Sequence, residues 1–494
     1  MMERERPRPP GSRAPSPALV ADALVDAVMA HAESAWPATL DRLAALVRIP
    51  SCSFPGFDPT HVVASATSTA AWFREAGFPE VQVLPGGGIH PAVIACDRRA
   101  GPDRPTLLLY AHHDVQPPLR EQLWRTPPHE PVISDGRMWG RGTADDKAGI
   151  MCHCAAAAAW NAVAGAPPIN LVAVIEGEEE VGSPHFPAFL KQHLDRLRAD
   201  AVLVMDALNY AAGLPSITTS LRGHLVVEVE LAGLQAPLHS GLWGGAVPDP
   251  AAALARLLAT LTDEHGVIAV PALLQGVRPL SDADRADFAR LPYTPAWFAG
   301  VAGLLDPSLA PGDAVEAHAR LWRQPTLAIN AIQCGERGRT GNVIMDSAWA
   351  RVGLRLVPDQ DPVVLMRALC DHLRAHAPAG LRLTLTEREP GPAWGTDTAH
   401  PVFAAARAAL RRGFGVEPVA IGCGASIPFV GEMTALLGGV PALLLGVEDP
   451  QCGAHAENEG LLLADALSAL RSEIALFGLL ADVAPASAGP VGGL

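Results

Sequence analysis

The sequence predicts an α/β fold with a mainly parallel sheet covered on both faces, interrupted by a smaller inserted α+β unit. Three observations carry this expectation. Short apolar runs at 107–110, 171–175, 202–205 and 442–445 have the length and continuity of buried strands. Segments of helical period separate them, as crossovers between parallel strands require. After about residue 221 the rhythm changes to alternating strands and two helices, and the βα rhythm returns from Pro401.

The elements follow in chain order. Residues 1–18 are rich in Pro and Arg and predict a flexible tail. The apolar stretch behind them is interrupted by Asp22 and Asp26, which a secretory leader would not tolerate. Leu19, Ala23, Leu24 and Val28 recur at helical spacing, with a break expected at Trp36-Pro37. Leu40, Leu43 and Leu46 resume the period, with Thr39 as the expected cap. A helix near 62–76 and strands at 81–84 and 92–96 precede the run ending at Tyr110, and an Ala-rich helix is expected over 148–164. Val226, Val227, Val229 and Leu231 form a strand whose alternation includes Glu228 and Glu230, the pattern of a strand with one exposed face. A helix over 250–261 follows. Pro271, Pro279, Pro292, Pro295, Pro307 and Pro311 mark 266–324 as irregular. Strands at 326–334 and 350–356 and a helix at 362–376 complete the insert, and a helix over 459–480 closes the chain. The resulting parse is a discontinuous domain, 19–221 with 390–494, and an inserted domain, 222–389.

An apolar fraction of 49% is ample for a large core, and 18% charge argues against global disorder. The net charge of −15 argues against nucleic acid or an anionic membrane as partner. No run reaches the roughly 18 apolar residues needed to span a bilayer. The eight cysteines are dispersed without a CxxC pair, which suits reduced thiols in a cytoplasmic protein. Cys152-His153-Cys154 reads as small apolar positions on the Ala-rich helix rather than as a metal motif.

Acids and histidines gather just after the strand-like runs: His112-His113-Asp114, Asp145-Asp146, Glu178-Glu179-Glu180, Asp206 and His455. Ligands collect at the carboxyl ends of strands in open α/β sheets. Two His with three or more carboxylates suit a pair of divalent first-row cations, the equipment of a two-metal hydrolase. His113, His153, His376 and His400 read as structural. Asp146 fits a salt-bridge partner or a helix cap equally well, and Glu176 and Glu178 fit a solvated acidic edge.

Seven segments carry a resemblance. They are Tyr-Ala-His-His-Asp-Val at 110–115, Gly-Arg-Gly-Thr-Ala-Asp-Asp-Lys at 140–147 and Glu-Gly-Glu-Glu-Glu-Val-Gly-Ser at 176–183. Leu-His-Ser-Gly-Leu-Trp-Gly-Gly at 238–245, Arg-Leu-Val-Pro at 355–358, Ser-Ile-Pro at 426–428 and Ala-His-Ala-Glu-Asn-Glu at 454–459 follow. Together and in this order they resemble the M20 metallopeptidases, most closely the dipeptidase branch with its carnosinase-like and cytosolic nonspecific members. The resemblance implies a phosphorylase/hydrolase-like catalytic domain with a lid domain through which two chains form a homodimer. It implies two divalent ions, zinc first and manganese or cobalt as alternatives, bridged by Asp145. His112 and Asp206 would complete one shell, and Glu180 and His455 the other. Asp114 would orient His112, the Asp145–Asp146 peptide would be cis, and Glu179 would be the general base for a water bridging the metals. His239 would stabilise the oxyanion, often from the partner subunit, Arg355 would hold the substrate's carboxylate, and Ser426 would contact substrate. The implied reaction is hydrolysis of a small peptide with a free C-terminal carboxylate. N-acyl-amino-acid deacylation and carboxypeptidase action are the alternatives, and a non-catalytic metal-binding protein is a remote one. Ala148, Pro237, the segment 340–345 and Ala425 depart from the dipeptidase pattern and leave the particular substrate open.

Overall fold

The computed structural model describes residues 20–88, 90–338, 341–424 and 428–484. The tail expected at 1–18 and the candidate Ser426 lie outside the described residues.

The centre of the larger sheet is parallel, as expected. The strand Thr106–His112 pairs in parallel with Asn170–Glu176 on one side and with Ala201–Val204 on the other. Ala201–Val204 in turn pairs in parallel with Ala442–Leu444. Each central strand is buried on both faces, which explains the unbroken apolar runs. Leu107, Leu109 and Ala111 pack on one side beneath the helices Asp22–Val47, Lys147–Ala164, Pro401–Phe414 and Leu463–Leu480. Leu108 and Tyr110 pack on the other against Phe186, Phe189, Phe429 and Met433.

The flanks of this sheet include antiparallel pairs. Glu80–Pro85 and Pro91–Asp97 form an antiparallel pair, and Pro91–Asp97 runs antiparallel to Asn170–Glu176. The link 86–90 is far too short for a crossover, which needs about a dozen residues. At the other flank Trp394–Gly395 pairs antiparallel, and Val419–Cys423 parallel, to Ser216–Leu221.

A second, wholly antiparallel sheet has the order Thr326–Gln333, Ser347–Leu356, Gly223–Ala232, Arg382–Glu387. Val227, Val229 and Leu231 point into a separate core with Leu254, Leu257, Leu365 and Leu369 of the helices Pro250–Leu258 and Pro362–Ala375.

Several local expectations need correction. The helix Asp22–Val47 runs straight through Pro37, and Thr39 donates to the Ala35 carbonyl instead of capping. Val25, Val28 and Met29 before the proline and Leu40, Leu43 and Leu46 after it enter the same core. Burial of one continuous stripe outweighs the local cost of roughly 3 kcal/mol for an interior proline. The segment 266–324 is only partly irregular. It forms the short helices Asp282–Ala289, Pro295–Ala302 and Ala314–His318, the first with a Ser281–Asp284 capping box and the second with Pro295 in its first turn. The last helix starts at Leu463, because Gly460–Leu462 pairs as a strand with Arg137–Trp139. Asp146 resolves as a cap: its carboxylate accepts from the Gly149 amide at the start of Lys147–Ala164.

Candidate metal centre and active site

The parallel strands deliver their carboxyl ends to one edge of the sheet. His112 is the last residue of its strand, and Asp206 lies two residues beyond Val204. Glu179 and Glu180 sit in the single turn Glu179–Val181 that follows Asn170–Glu176. Asp145 precedes the cis peptide Asp145–Asp146, and His455 sits in a loop at φ 62°.

Asp145 is the hub. Its Oδ1 lies 3.0 Å from His112 Nε2, and its Oδ2 lies 3.0 Å from His455 Nε2. Asp206 Oδ1 is 3.8 Å from the same His112 nitrogen, and Glu180 Oε2 is 3.2 Å from the His455 nitrogen. Two groups result, His112–Asp145–Asp206 and Asp145–Glu180–His455, each with its ligand atoms within 4.8 Å of one another.

Asp114 organises this frame from behind. His112 Nδ1 donates to the Asp114 carbonyl at 3.1 Å and lies 3.4 Å from its carboxylate, which aims Nε2 at Asp145. The Asp114 carboxylate also accepts from the Glu179 and Glu180 amides and from the Ser53 hydroxyl. Burial alone would raise it, but the His112 imidazole, followed by the Ser53 hydroxyl, holds it below the usual carboxylate range.

The donor set fits divalent cations. Glu180 Oε1 is buried with no hydrogen-bond partner among the described residues. Unpaired buried carboxylate oxygens are costly, and a cation is the natural partner for one. Burial, with the neighbouring Asp145 charge, pushes Glu179 and Glu180 up to about 7. Burial and the Asp146 charge raise Asp206. The hydrogen bonds to Asp145 and Glu180 push His455 up to about 10.

The sign of these shifts gives a pH dependence. Between the ordinary value of 4.5 and about 7, folded Glu179 and Glu180 hold protons that the unfolded chain has released. Stability of the cation-free protein therefore falls as pH rises through that window. His455 extends the decline, because the stability from its ion pairs is full below 6.5 and lost as pH rises towards about 10. We predict a lower Tm for EDTA-treated protein at about pH 8 than at about pH 5.5, and a larger rise on adding zinc or manganese at the higher pH. Calorimetry checks this; a Tm in EDTA that rises across the same interval would contradict it.

Seven of the ten candidate residues thus come together: His112, Asp114, Asp145, Glu179, Glu180, Asp206 and His455. His239 and Arg355 are not among the residues that line the cluster's cleft. His239 is exposed, with Nδ1 accepting from the Gly241 amide, and Arg355 is exposed on the Ser347–Leu356 strand. The structural histidines have structural partners. His113 bonds the Pro91 carbonyl, His153 bonds Glu473, His376 bonds the His372 carbonyl, and His400 caps the helix Pro401–Phe414. Glu176 and Glu178 are not a solvated edge: both are buried, Glu176 accepting from Tyr110 and Ser183 and Glu178 pairing with His185.

Sequence reasoning missed Glu459. It is fully buried and accepts from Arg141 and from the amides of Gly142, Ala144 and Asp145, so it moulds the loop that presents the hub. An acid closing the Ala-His-Ala-Glu-Asn-Glu segment was the available signal.

The cluster opens into a cleft of about 680 Å³ lined by Asp145, Glu179, Asp206 and His455. This size suits a small organic substrate.

The model of peptidase family M20/M25/M40 matches residues 108–477, a span that includes every member of the cluster. A cysteinylglycine-S-conjugate dipeptidase of Corynebacterium striatum is 29% identical over 380 residues, 75% of this chain and 81% of the relative. Human carnosine dipeptidase 1 aligns in structure with a TM-score of 0.78 at 24% identity, over 95% of this chain and 100% of that one. The M20 family metallo-carboxypeptidase Sso-CP2 of Sulfolobus solfataricus aligns with a TM-score of 0.78 at 25% identity, over 90% and 99%. A dipeptidase and a carboxypeptidase share the fold equally, so the choice of substrate must lie in the side chains around the cleft.

Proposed function

Because the chain belongs to peptidase family M20/M25/M40, we propose that it is a metallodipeptidase that hydrolyses a small peptide with a free C-terminal carboxylate. The observation that carries this reading is the Asp145 carboxylate held 3.0 Å from both His112 and His455, with Glu179 beside them in the cleft. His112, Asp145 and Asp206 would hold one divalent ion, and Asp145, Glu180 and His455 a second. Zinc suits the two imidazoles and the carboxylates, and manganese or cobalt suit them too. Ions held there would polarise the scissile carbonyl and acidify the attacking water.

The chain's own groups then manage the proton. Glu179 is half-buried and pushed up to about 7, close to neutral pH, where a shuttle works best. It takes a proton from the attacking water as the new carbon–oxygen bond forms. It returns that proton to the amine as the carbon–nitrogen bond breaks. Asp114 positions both His112 and the Glu179–Glu180 turn through the contacts described above.

Residues 19–221 with 390–494 form the catalytic domain in this reading, and 222–389 form a lid. His239 and Arg355 lie on the lid in this reading. The exposure of His239 supports a homodimer in which the partner subunit's lid supplies an oxyanion donor, and Arg355 would hold the substrate's carboxylate. All eight cysteines are free, which supports a cytoplasmic location; no helix among the described residues is long and apolar enough to cross a membrane.

Hydrolysis of free-amine dipeptides, compared with N-acetyl amino acids, tests the reading. We expect turnover of Ala-Gly or its larger relatives and none of N-acetylglycine. Turnover of the N-acyl series alone would make the chain a deacylase. Silence on both with two ions bound would make it a metal-binding protein without this activity.

A further inference from the structure

The cleft has an apolar wall that the proposed reaction does not use. Beyond the acids and His455 it is lined by Leu208, Tyr210, Trp297, Val301, Trp322 and Ile421. Tyr210, Trp322 and Ile421 are buried together with Phe288 and Leu291, and form a firm floor. The Tyr210 hydroxyl donates to the Pro292 carbonyl at 3.0 Å and lies 3.0 Å from His318 Nε2, so both the ring and the adjoining insert are held in place.

The mouth of the wall is different. Leu208, Trp297 and Val301 are 41%, 40% and 64% exposed, although each is large and apolar. Trp297 and Val301 stand four residues apart on the helix Pro295–Ala302 and so share one face. The Trp297 ring lies 5.8 Å from that of Tyr210, and Thr294 caps the helix through the Trp297 amide. Leu208 follows Asp206 by two residues, which joins this wall to the acid cluster through one short loop. Exposed apolar side chains gathered in a cleft beside reactive groups mark a place where an apolar ligand group leaves water.

Resting on the dipeptidase reading, we propose that these residues form a subsite for a bulky apolar side chain next to the scissile bond. The substrate class is then dipeptides carrying Leu, Phe or Met rather than those built from Gly or small polar residues. The occupant is part of the substrate because the wall is continuous with the acids in one cleft of about 680 Å³, which has room for such a dipeptide.

The test is kcat/KM of the zinc- or manganese-loaded protein for Leu-Gly, Phe-Gly, Gly-Leu, Gly-Phe and Gly-Gly. The same panel is run on Trp297→Ala and Val301→Asp, and on Leu305→Ala as an exposed apolar control outside the cleft. We expect the better of the two bulky series to exceed Gly-Gly by at least about tenfold. Either wall substitution should shrink that ratio to about threefold or less, and the control should retain it. Val301 and Trp297 are surface residues, so both variants should fold, which circular dichroism verifies. Equal turnover of Gly-Gly and the bulky dipeptides, or a preference that survives both substitutions, overturns the subsite while leaving the dipeptidase reading intact. No turnover of any free dipeptide overturns the dipeptidase reading, and the subsite with it.

Discussion

Replacing Glu179 by Gln should lower kcat on a good dipeptide by about 10²- to 10⁴-fold, the usual contribution of a positioned proton shuttle. The amide keeps the shape of the side chain and cannot accept the water's proton. Glu179 belongs to neither candidate ligand group, so the cation content of the purified variant should match that of the parent. That pairing of results separates a lost base from a lost metal. Unchanged kcat would remove Glu179 from the mechanism, and loss of metal together with activity would make it a ligand. Co-expression with His239→Ala extends the test to the dimer. If each lid serves the partner's site, mixed dimers contain one complete site, and activity should return to about a quarter of the parent's. No recovery would place the two residues in separate tasks or deny the homodimer.

Replacing Glu459 by Ala should destabilise the fold by roughly 3–5 kcal/mol, a large share of a typical folding free energy. Glu459 and Arg141 are both buried, with Arg141 Nη1 2.7 Å from the carboxylate. The same carboxylate accepts from Gly142 at 2.8 Å, Ala144 at 2.8 Å and Asp145 at 3.1 Å. Truncation leaves a buried guanidinium and three amides without their acceptor. Denaturant unfolding measures the loss, and Glu459→Gln, which keeps one acceptor oxygen, should lose less. Replacing the pair by apolar residues, Arg141→Met with Glu459→Leu, should recover part of the deficit because the stranded charge is gone. A loss below about 1 kcal/mol for Glu459→Ala would show that water enters and solvates the loop.

Much of the site was legible before any coordinates. The apolar runs end just before His112 and Asp206, and strand ends in such sheets are where side chains meet. The charge of the ligands and the spacing of His112 and Asp114 are local properties, readable from neighbours in the chain. The alternation in Gly223–Ala232 is local in the same sense: Val227, Val229 and Leu231 are buried, and Val226 shares the outer, partly buried face with Glu228 and Glu230. Chain-local signals failed where distant residues decide. Pro37 reads as a helix breaker until the stripe from Val25 to Leu46 is seen to share one core. The prolines of 266–324 read as irregular, yet Pro295 begins a short helix that brings Trp297 and Val301 to the cleft.

By itself, the sequence determined the chemistry: which residue types are present, on which strand ends, and hence a cluster suited to two divalent ions. Only the tertiary structure decided that one Asp145 carboxylate faces both histidines, that Glu459 anchors its loop from 314 residues away, and that an apolar wall stands beside the acids. The physical reason is that periodicity records whether a side chain is buried, whereas the identity of its neighbours depends on packing between segments far apart in the chain.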